Sequence, residues 1–215
     1  MTESVKRTYR SEARQAAAAE TRIRVLDAAA ELFVTRGYEG TTLKEVAERA
    51  GVGARTVYDK FGDKLELYKQ TVKYRTRGDD EPIPHPERPA SRAVYEATDP
   101  HEILRLHVEY GANLMERAAE LIMVSATAAA IERELAENFG RAVSSVHAIH
   151  LKTAKHLQAL GHLKPDMDPV TAADIMHALS TPQTFIVLRR HRRWSLARYK
   201  SWATETFEQQ LLKSE

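Results

Sequence analysis

The stretch TTLKEVAERAGVGARTVYDKFG, residues 41–62, constrains this chain more than any other. Thr42 followed by Glu45 forms a capping box, in which each side chain satisfies the other residue's free backbone amide at a helix start. Leu43, Val46, Ala47 and Ala50 then recur on one face, and Gly51 supplies the stop. A second short helix is predicted from Ala54 to Phe61, with Val57, Tyr58 and Phe61 inward and Gly62 as its stop. Helices this short do not persist alone in water, so the pair must fold against a third. Residues 20–36 provide it: Ile23, Leu26, Ala30 and Phe33 follow helical spacing, and Gly37 ends the run. The small Ala47, Ala50 and Gly51 allow the two short helices to cross closely. This is helix-turn-helix geometry, in which the second helix can enter a major groove. Its outward residues are Ala54, Arg55, Asp59 and Lys60, with Thr56 at the rim. On spacing alone, a helical hairpin with no nucleic-acid role stays open.

Charge is unevenly distributed. Residues 1–77 hold 16 Lys/Arg against 11 Asp/Glu, a balance of +5, whereas the remainder holds 16 against 19, a balance of −3. A basic first third suits a polyanion. Residues 1–18 read as a basic flexible arm, whose Lys6, Arg7, Arg10 and Arg14 can reach phosphates or a minor groove or lie in solvent. Cysteine is absent, which excludes disulfides, thiolate metal sites and a cysteine nucleophile. No signal peptide is visible, and the most apolar run, LIMVSATAAAI at 121–131, is too short to span a bilayer. A cytoplasmic, membrane-free protein is expected.

The whole pattern is all-α. Asp63 caps a fourth helix reaching about Arg77, with Leu65, Leu67, Tyr68, Val72 and Tyr74 among its apolar and aromatic residues. Residues 78–98 follow as a Pro-rich linker, and 99–215 form a second helical domain. Asp99-Pro100 opens its first helix, which presents Ile103, Leu106, His107, Tyr110 and Leu114. Further helices are expected over about 118–139, 141–160 (stopped by Gly161), 169–189 (kinked at Pro182) and 196–212 (capped by Ser195). The SATAAA run allows close helix packing or leaves space for a cavity. His107, Tyr110, Asn113, Met123, His147 and Met176 are polar or soft groups on or beside apolar faces. As a set they suggest a largely apolar ligand with few hydrogen bonds, although each also suits a core or interface position.

Other chemistries find little support. His147 and His150 share a helical face, but no carboxylate lies near them in sequence, so no metal is expected. HEILR at 101–105 lacks the second histidine of a zinc protease motif. No glycine-rich phosphate loop or nucleophile elbow occurs, so no cofactor and no enzyme activity are expected. The basic RRHRR at 189–193 reads as a helix end, where cations suit the dipole, or as a second nucleic-acid contact.

Residues 21–72 resemble the DNA-binding domain of the TetR family of bacterial transcription regulators, through AAAELF, RGYEGTT, VAERAGV and TVYDKFGDK in order. The resemblance implies a DNA-binding domain over residues 19–77 and a ligand-binding and dimerisation domain over 99–215. It implies that Thr42 and Lys44 meet phosphates, that Ala54, Arg55 and Thr56 face base edges, and that Tyr58 and Lys60 contact backbone or sugar. Lys64 would hold a phosphate at a helix N-terminus. Gly53 and Asp59 complete the set. Two positions depart from the family pattern: Gly53 stands where a serine or threonine cap is common, and Ala54 where lysine is frequent. The implied partners are a near-palindromic double-stranded operator, a second copy of the chain joined through its C-terminal helices, and a small-molecule effector that swings the fourth helix. A regulator of the same fold working through a protein partner, or as an activator, stays open.

Overall fold

The computed structural model describes residues 3–81 and 83–213. They form ten α-helices with two short irregular turns, and the chain divides into two compact units, Met1–Arg75 and Thr76–Glu215.

In the first unit, α1 runs Glu3–Arg36, α2 Leu43–Ala50 and α3 Ala54–Phe61, and α4 starts at Lys64 and continues to Arg77. The flexible arm expected over 1–18 is corrected from Glu3 onward, because that segment is the first half of α1. No glycine or proline occurs from Glu3 to Arg36, and Ala16 to Ala19 are strong helix formers. Those alanines are exposed, so propensity rather than burial carries the helix there. Farther along, Val25, Leu26, Ala29 and Phe33 are buried, while Ile23, expected in the stripe, is 37% exposed. Phe33, Tyr38 and Tyr68 pack as an aromatic trio with centroids 4.8–6.0 Å apart. Val46, Val57, Phe61 and Leu67 are buried too, which supplies the third-helix support the short pair requires. Polar clasps fix the arrangement: Arg49 forks onto Glu31 of α1 at 2.6–3.0 Å, and Arg36 of α1 meets Glu45 of α2 at 2.6 Å.

The second unit departs more from expectation. Residues 89–96, expected within a linker, form α5 (Pro89–Glu96). Val94 belongs to the unit's core and Ser91 is buried, so this segment is structural rather than connecting. Pro89 occupies the first helical position, where its missing N–H has no consequence. α6 runs unbroken from Pro100 to Ala128 and α7 from Arg133 to Ala159. The breaks expected near 115–118 and 140 do not exist; Gly111 and Gly140 lie inside helices despite an intrinsic penalty of about 1 kcal/mol each. The real turn is Ala129 to Glu132, with no glycine or proline to announce it. The SATAAA run therefore ends α6 rather than forming a mid-helix contact.

Pro182 does not kink a long helix. α8 (Pro169–Leu179) ends first, Thr181 caps a new helix through its hydroxyl, and Pro182 opens α9 (Pro182–Ile186). A π-helical turn, Val187–His191, follows. There Arg189 forks onto Glu116 of α6 at 2.7 and 3.1 Å and Arg190 meets Glu120 at 2.7 Å, so the first two arginines of RRHRR tie this turn to α6. α10 (Leu196–Leu211) is capped by Ser195. Ile103, Leu104, Leu157, Met176, Phe185 and Phe207 form the heart of the core.

Candidate nucleic-acid interface and cavity

The helix-turn-helix is built as its residues dictate. Thr42 Oγ1 accepts from the Glu45 amide at 3.3 Å, and the Thr42 amide donates to Glu45 Oε2 at 3.0 Å. The Thr42 hydrogen bonds, with help from Arg36, hold the Glu45 carboxyl below its ordinary range. Gly51 closes α2 with φ +67°, and the Val52 amide reaches back to the Ala47 carbonyl at 3.0 Å. A side chain is strained in that left-handed region. Nearby, a Cβ at Gly40 would run into the Arg36 carbonyl, so the turn between α1 and α2 admits only glycine. α3 starts at Gly53, which lies in the extended region without a side-chain cap, and ends at Gly62.

Val57 and Phe61 anchor α3 inward. Its other side is a strip of exposed groups. The Arg55 side chain is 93% exposed and, among the described residues, pairs with Asp59, one turn on, at 3.6 Å. Asp59 and Lys60 are exposed, and Ala54 and Thr56 half-buried. Tyr58, expected inward, is 52% exposed and joins this strip. Thr42 and Lys44 are exposed at the start of α2. Lys64 is half-buried: its ammonium donates to the Tyr38 carbonyl at 3.1 Å and lies 4.5 Å from the centre of the Tyr38 ring. Lys60 Nζ is 3.5 Å from the Ala18 carbonyl of α1. Positive charge and hydrogen-bond donors thus gather at the start of α2, along α3 and at the start of α4.

The second unit contains a cavity of about 90 Å³ lined by residues of α6, α7 and α10, together with His85 and Ser180. Of the six candidate ligand residues, His107 and Tyr110 line it. Met176 is fully buried in the core, His147 hydrogen-bonds Asp174 of α8 at 2.8 Å, and Asn113 and Met123 lie outside the lining. His85 and His150 line the cavity and were not expected there. His85 sits in a proline-flanked turn with no periodicity to flag it, whereas His150 lies three residues beyond His147 on α7, a spacing that points in sequence to a metal rather than to a cavity.

His107 and His150 form a buried chain with Thr153. Thr153 Oγ1 is 3.0 Å from His107 Nδ1, and His107 Nε2 is 3.0 Å from His150 Nδ1. His150 Nε2 and His85 Nε2 are buried without a hydrogen-bond partner among the described residues. Burial pushes His107 down to about 4 and lowers His150 as well, the neighbouring imidazoles adding to the effect, so both rings are neutral near pH 7. Among the described residues, no group of three or more His, Cys, Asp or Glu side chains is arranged to hold a metal ion, and no helix is long and apolar enough to cross a membrane.

Residues 25–71, covering α2, α3 and most of α1's packed half, match the sequence model of bacterial regulatory proteins of the tetR family. The chain is 49% identical over 49 residues to the transcriptional activator FasR of Mycolicibacterium smegmatis, a match covering 23% of this chain and 22% of that protein. The aligned part thus spans under a quarter of that relative's length. A longer alignment joins it to the transcriptional repressor BepR of Brucella suis, 29% identical over 171 residues, covering 77% of this chain and 79% of BepR. Among solved structures, the SmeT–triclosan complex superposes with a TM-score of 0.69 at 21% identity, covering 90% of this chain and 92% of SmeT. FasR and BepR are named as transcriptional regulators, and the helix-turn-helix built from Thr42 to Gly62 lies within the matched segment: residues 25–71 of this chain form a domain of the kind found in bacterial regulatory proteins of the tetR family.

Proposed function

We propose that this protein is a cytoplasmic DNA-binding transcriptional regulator that grips a near-palindromic operator as a homodimer and releases it when a compact ligand enters the second unit. The observation that carries the reading is α3: a short helix locked inward by Val57 and Phe61, holding Arg55 and its neighbours outward. An arginine so placed can fork onto guanine O6 and N7, and the lysines suit phosphates as point charges. Thr42, Lys44, Lys60 and Lys64 take the backbone, with Tyr58 beside them, and Ala54, Arg55 and Thr56 the base edges. Gly53 and Asp59 complete the strip, Gly53 bringing the backbone close and Asp59 orienting Arg55.

One such helix reads only a few base pairs, too little to select a site in a genome. Two-fold pairing doubles the contacts and sets the half-sites about 34–36 Å apart, or a multiple of that. Exposed Val143 on α7, Val170 on α8 and Val187 beyond α9 support pairing through the C-terminal helices.

Ligand release works through α4, the segment that carries the chain from one unit into the next. Moving the dimer from nearly all bound to nearly all free takes about 5.5 kcal/mol of differential ligand affinity. The cavity is well below the several hundred Å³ of a pre-formed drug-sized pocket, so its ligand is compact or enters as side chains shift. BepR's name supports repression and FasR's supports activation; a reporter fused to the regulated promoter separates the two. The reading is tested by titrating purified protein into fluorescent duplexes, with and without a ligand panel. Salt-sensitive, sequence-selective binding that some ligand relieves is expected; indifference to every duplex overturns the reading.

A further inference from the structure

The cavity of the second unit has an unusual lining. It includes no Asp, Glu, Lys or Arg, yet it includes His85, His107 and His150, and two of their nitrogens are buried without partners among the described residues. A charged ligand would meet no counter-ion there, and its desolvation would go uncompensated. An entirely apolar one would leave both nitrogens unsatisfied.

The proton order of the imidazole chain follows from counting hydrogen bonds. Both rings are neutral, so each carries one N–H. In one order Thr153 donates to the Ile149 carbonyl, 3.3 Å away, and accepts from His107 Nδ1, while His107 Nε2 accepts from His150 Nδ1. Beside the hydrogen bond that Thr153 shares with Tyr95 in either order, that order makes three hydrogen bonds. In the reverse order Thr153 donates to His107 and His107 to His150, which makes two and leaves a buried N–H on His150 unpaired. The first order is the more stable, and it leaves His150 Nε2 as a bare lone pair, an acceptor waiting for a donor.

Resting on the reading above that this unit binds an effector, we propose that the cavity takes a compact, uncharged, largely apolar molecule bearing one O–H or N–H donor, which hydrogen-bonds His150 Nε2. The apolar body lies against Val108, Leu114, Met115, Ile149 and Phe207. About 90 Å³ is of the order of the roughly 150 Å³ engineered cavity that admits benzene, so a ligand of about one ring is the scale. Thr153 and His107 act as positioning residues, since they set which proton His150 carries.

The test uses the full chain with ring nitrogens labelled with ¹⁵N, and four probes: phenol, anisole, benzoate and benzylammonium. At neutral pH, His150 is expected as the Nδ1–H tautomer before any probe is added. Phenol is expected to shift the His150 Nε2 resonance and to bind at least ten-fold more tightly than the other three. His150→Phe is expected to abolish the preference for phenol over anisole. Thr153→Val is expected to weaken phenol binding and to mix the His150 tautomers. A protonated Nε2 in the free protein, equal binding of anisole, a preference for either charged probe, or no binding of phenol at tens of millimolar overturns the proposal, and none of these readings requires a variant to fold. Operator binding is measured on the same samples. Phenol bound with the expected selectivity but no change in DNA affinity upholds the cavity assignment and overturns release by ligand; intact DNA binding with no phenol bound overturns the cavity assignment alone.

Discussion

Replacing Arg55 separates recognition from folding. Its side chain is 93% exposed, and its sole ion pair among the described residues is the 3.6 Å contact with Asp59 at i,i+4. Such a pair contributes about 0.3–0.5 kcal/mol, so Arg55→Ala should move the fold's stability by no more than about 0.5 kcal/mol. A guanidinium forked onto guanine is worth about 1–3 kcal/mol at its base pair. A two-fold complex uses it twice, so the operator should lose about 2–6 kcal/mol, at least roughly thirty-fold in affinity. Arg55→Lys sharpens the test by keeping the charge and removing the fork. It should retain binding to random duplex while losing most of the operator preference. The assay is fluorescence anisotropy with operator and scrambled duplexes at one salt concentration, paired with thermal melts. An Arg55→Ala protein that melts normally and binds operator as tightly as the parent would refute the assignment of α3 to the major groove.

Other consequences can be measured directly. With Lys44, Lys60 and Lys64 on phosphates in both protomers, the slope of log affinity against log salt should be about −5, and Lys44→Ala should make it shallower by about 2; an unchanged slope would remove Lys44 from the interface. Gly53 has extended dihedrals, and a Cβ there meets only Thr56 Oγ1 at 3.7 Å, so Gly53→Ser should cap α3 and stabilise the first unit by a few tenths to about 1 kcal/mol, read as a raised denaturation midpoint; a lowered midpoint would contradict the cap geometry. All nine histidines and both tryptophans lie beyond residue 84, so tryptophan fluorescence reports acid stability of the second unit. His107 is lowered to about 4 by burial. Above about pH 6.5 it is neutral whether folded or unfolded; as pH falls from 6.5 toward 4 the unfolded chain takes up its proton first, so His107 alone removes about 1.4 kcal/mol of stability per pH unit across that window, and the lowered His150 adds in the same direction. A melting midpoint constant from pH 7 to pH 5 would show that His107 is not held neutral.

How much could be read in advance follows the density of local signals. The first unit was legible because its boundaries are written in special residues: the Thr42–Glu45 box, Gly51 in the left-handed region and the Asp63 cap are each visible in sequence and present in the structure. Its start was not, because the exposed alanines of α1 carry no amphipathic stripe and helix propensity alone extends it. In the second unit the caps at Asp99, Asp168 and Ser195 were legible for the same reason as Thr42. The turn after Ala128 was not, since backbone hydrogen bonds onto Ser125, Thr127 and Ala128 close it with no special residue to mark it. Pro182 carried two meanings, kink and first helical residue, and only the Thr181 hydroxyl on the Thr184 amide decides between them. The cavity escaped because its polar groups come from a proline-rich turn and from two helices far apart in sequence, and no periodicity joins His85 to His107 and His150.

Operator recognition by this chain requires α3 to enter duplex DNA as one of a two-fold pair. Selection of the full-length protein against a pool of randomised duplexes at low salt tests this most directly. The expected outcome is enrichment of an inverted repeat whose half-sites lie one helical turn, or a whole number of turns, apart, with a guanine at the position that Arg55→Lys relaxes. A pool that returns unenriched, or that yields a single asymmetric half-site bound by one copy of the chain, would contradict it.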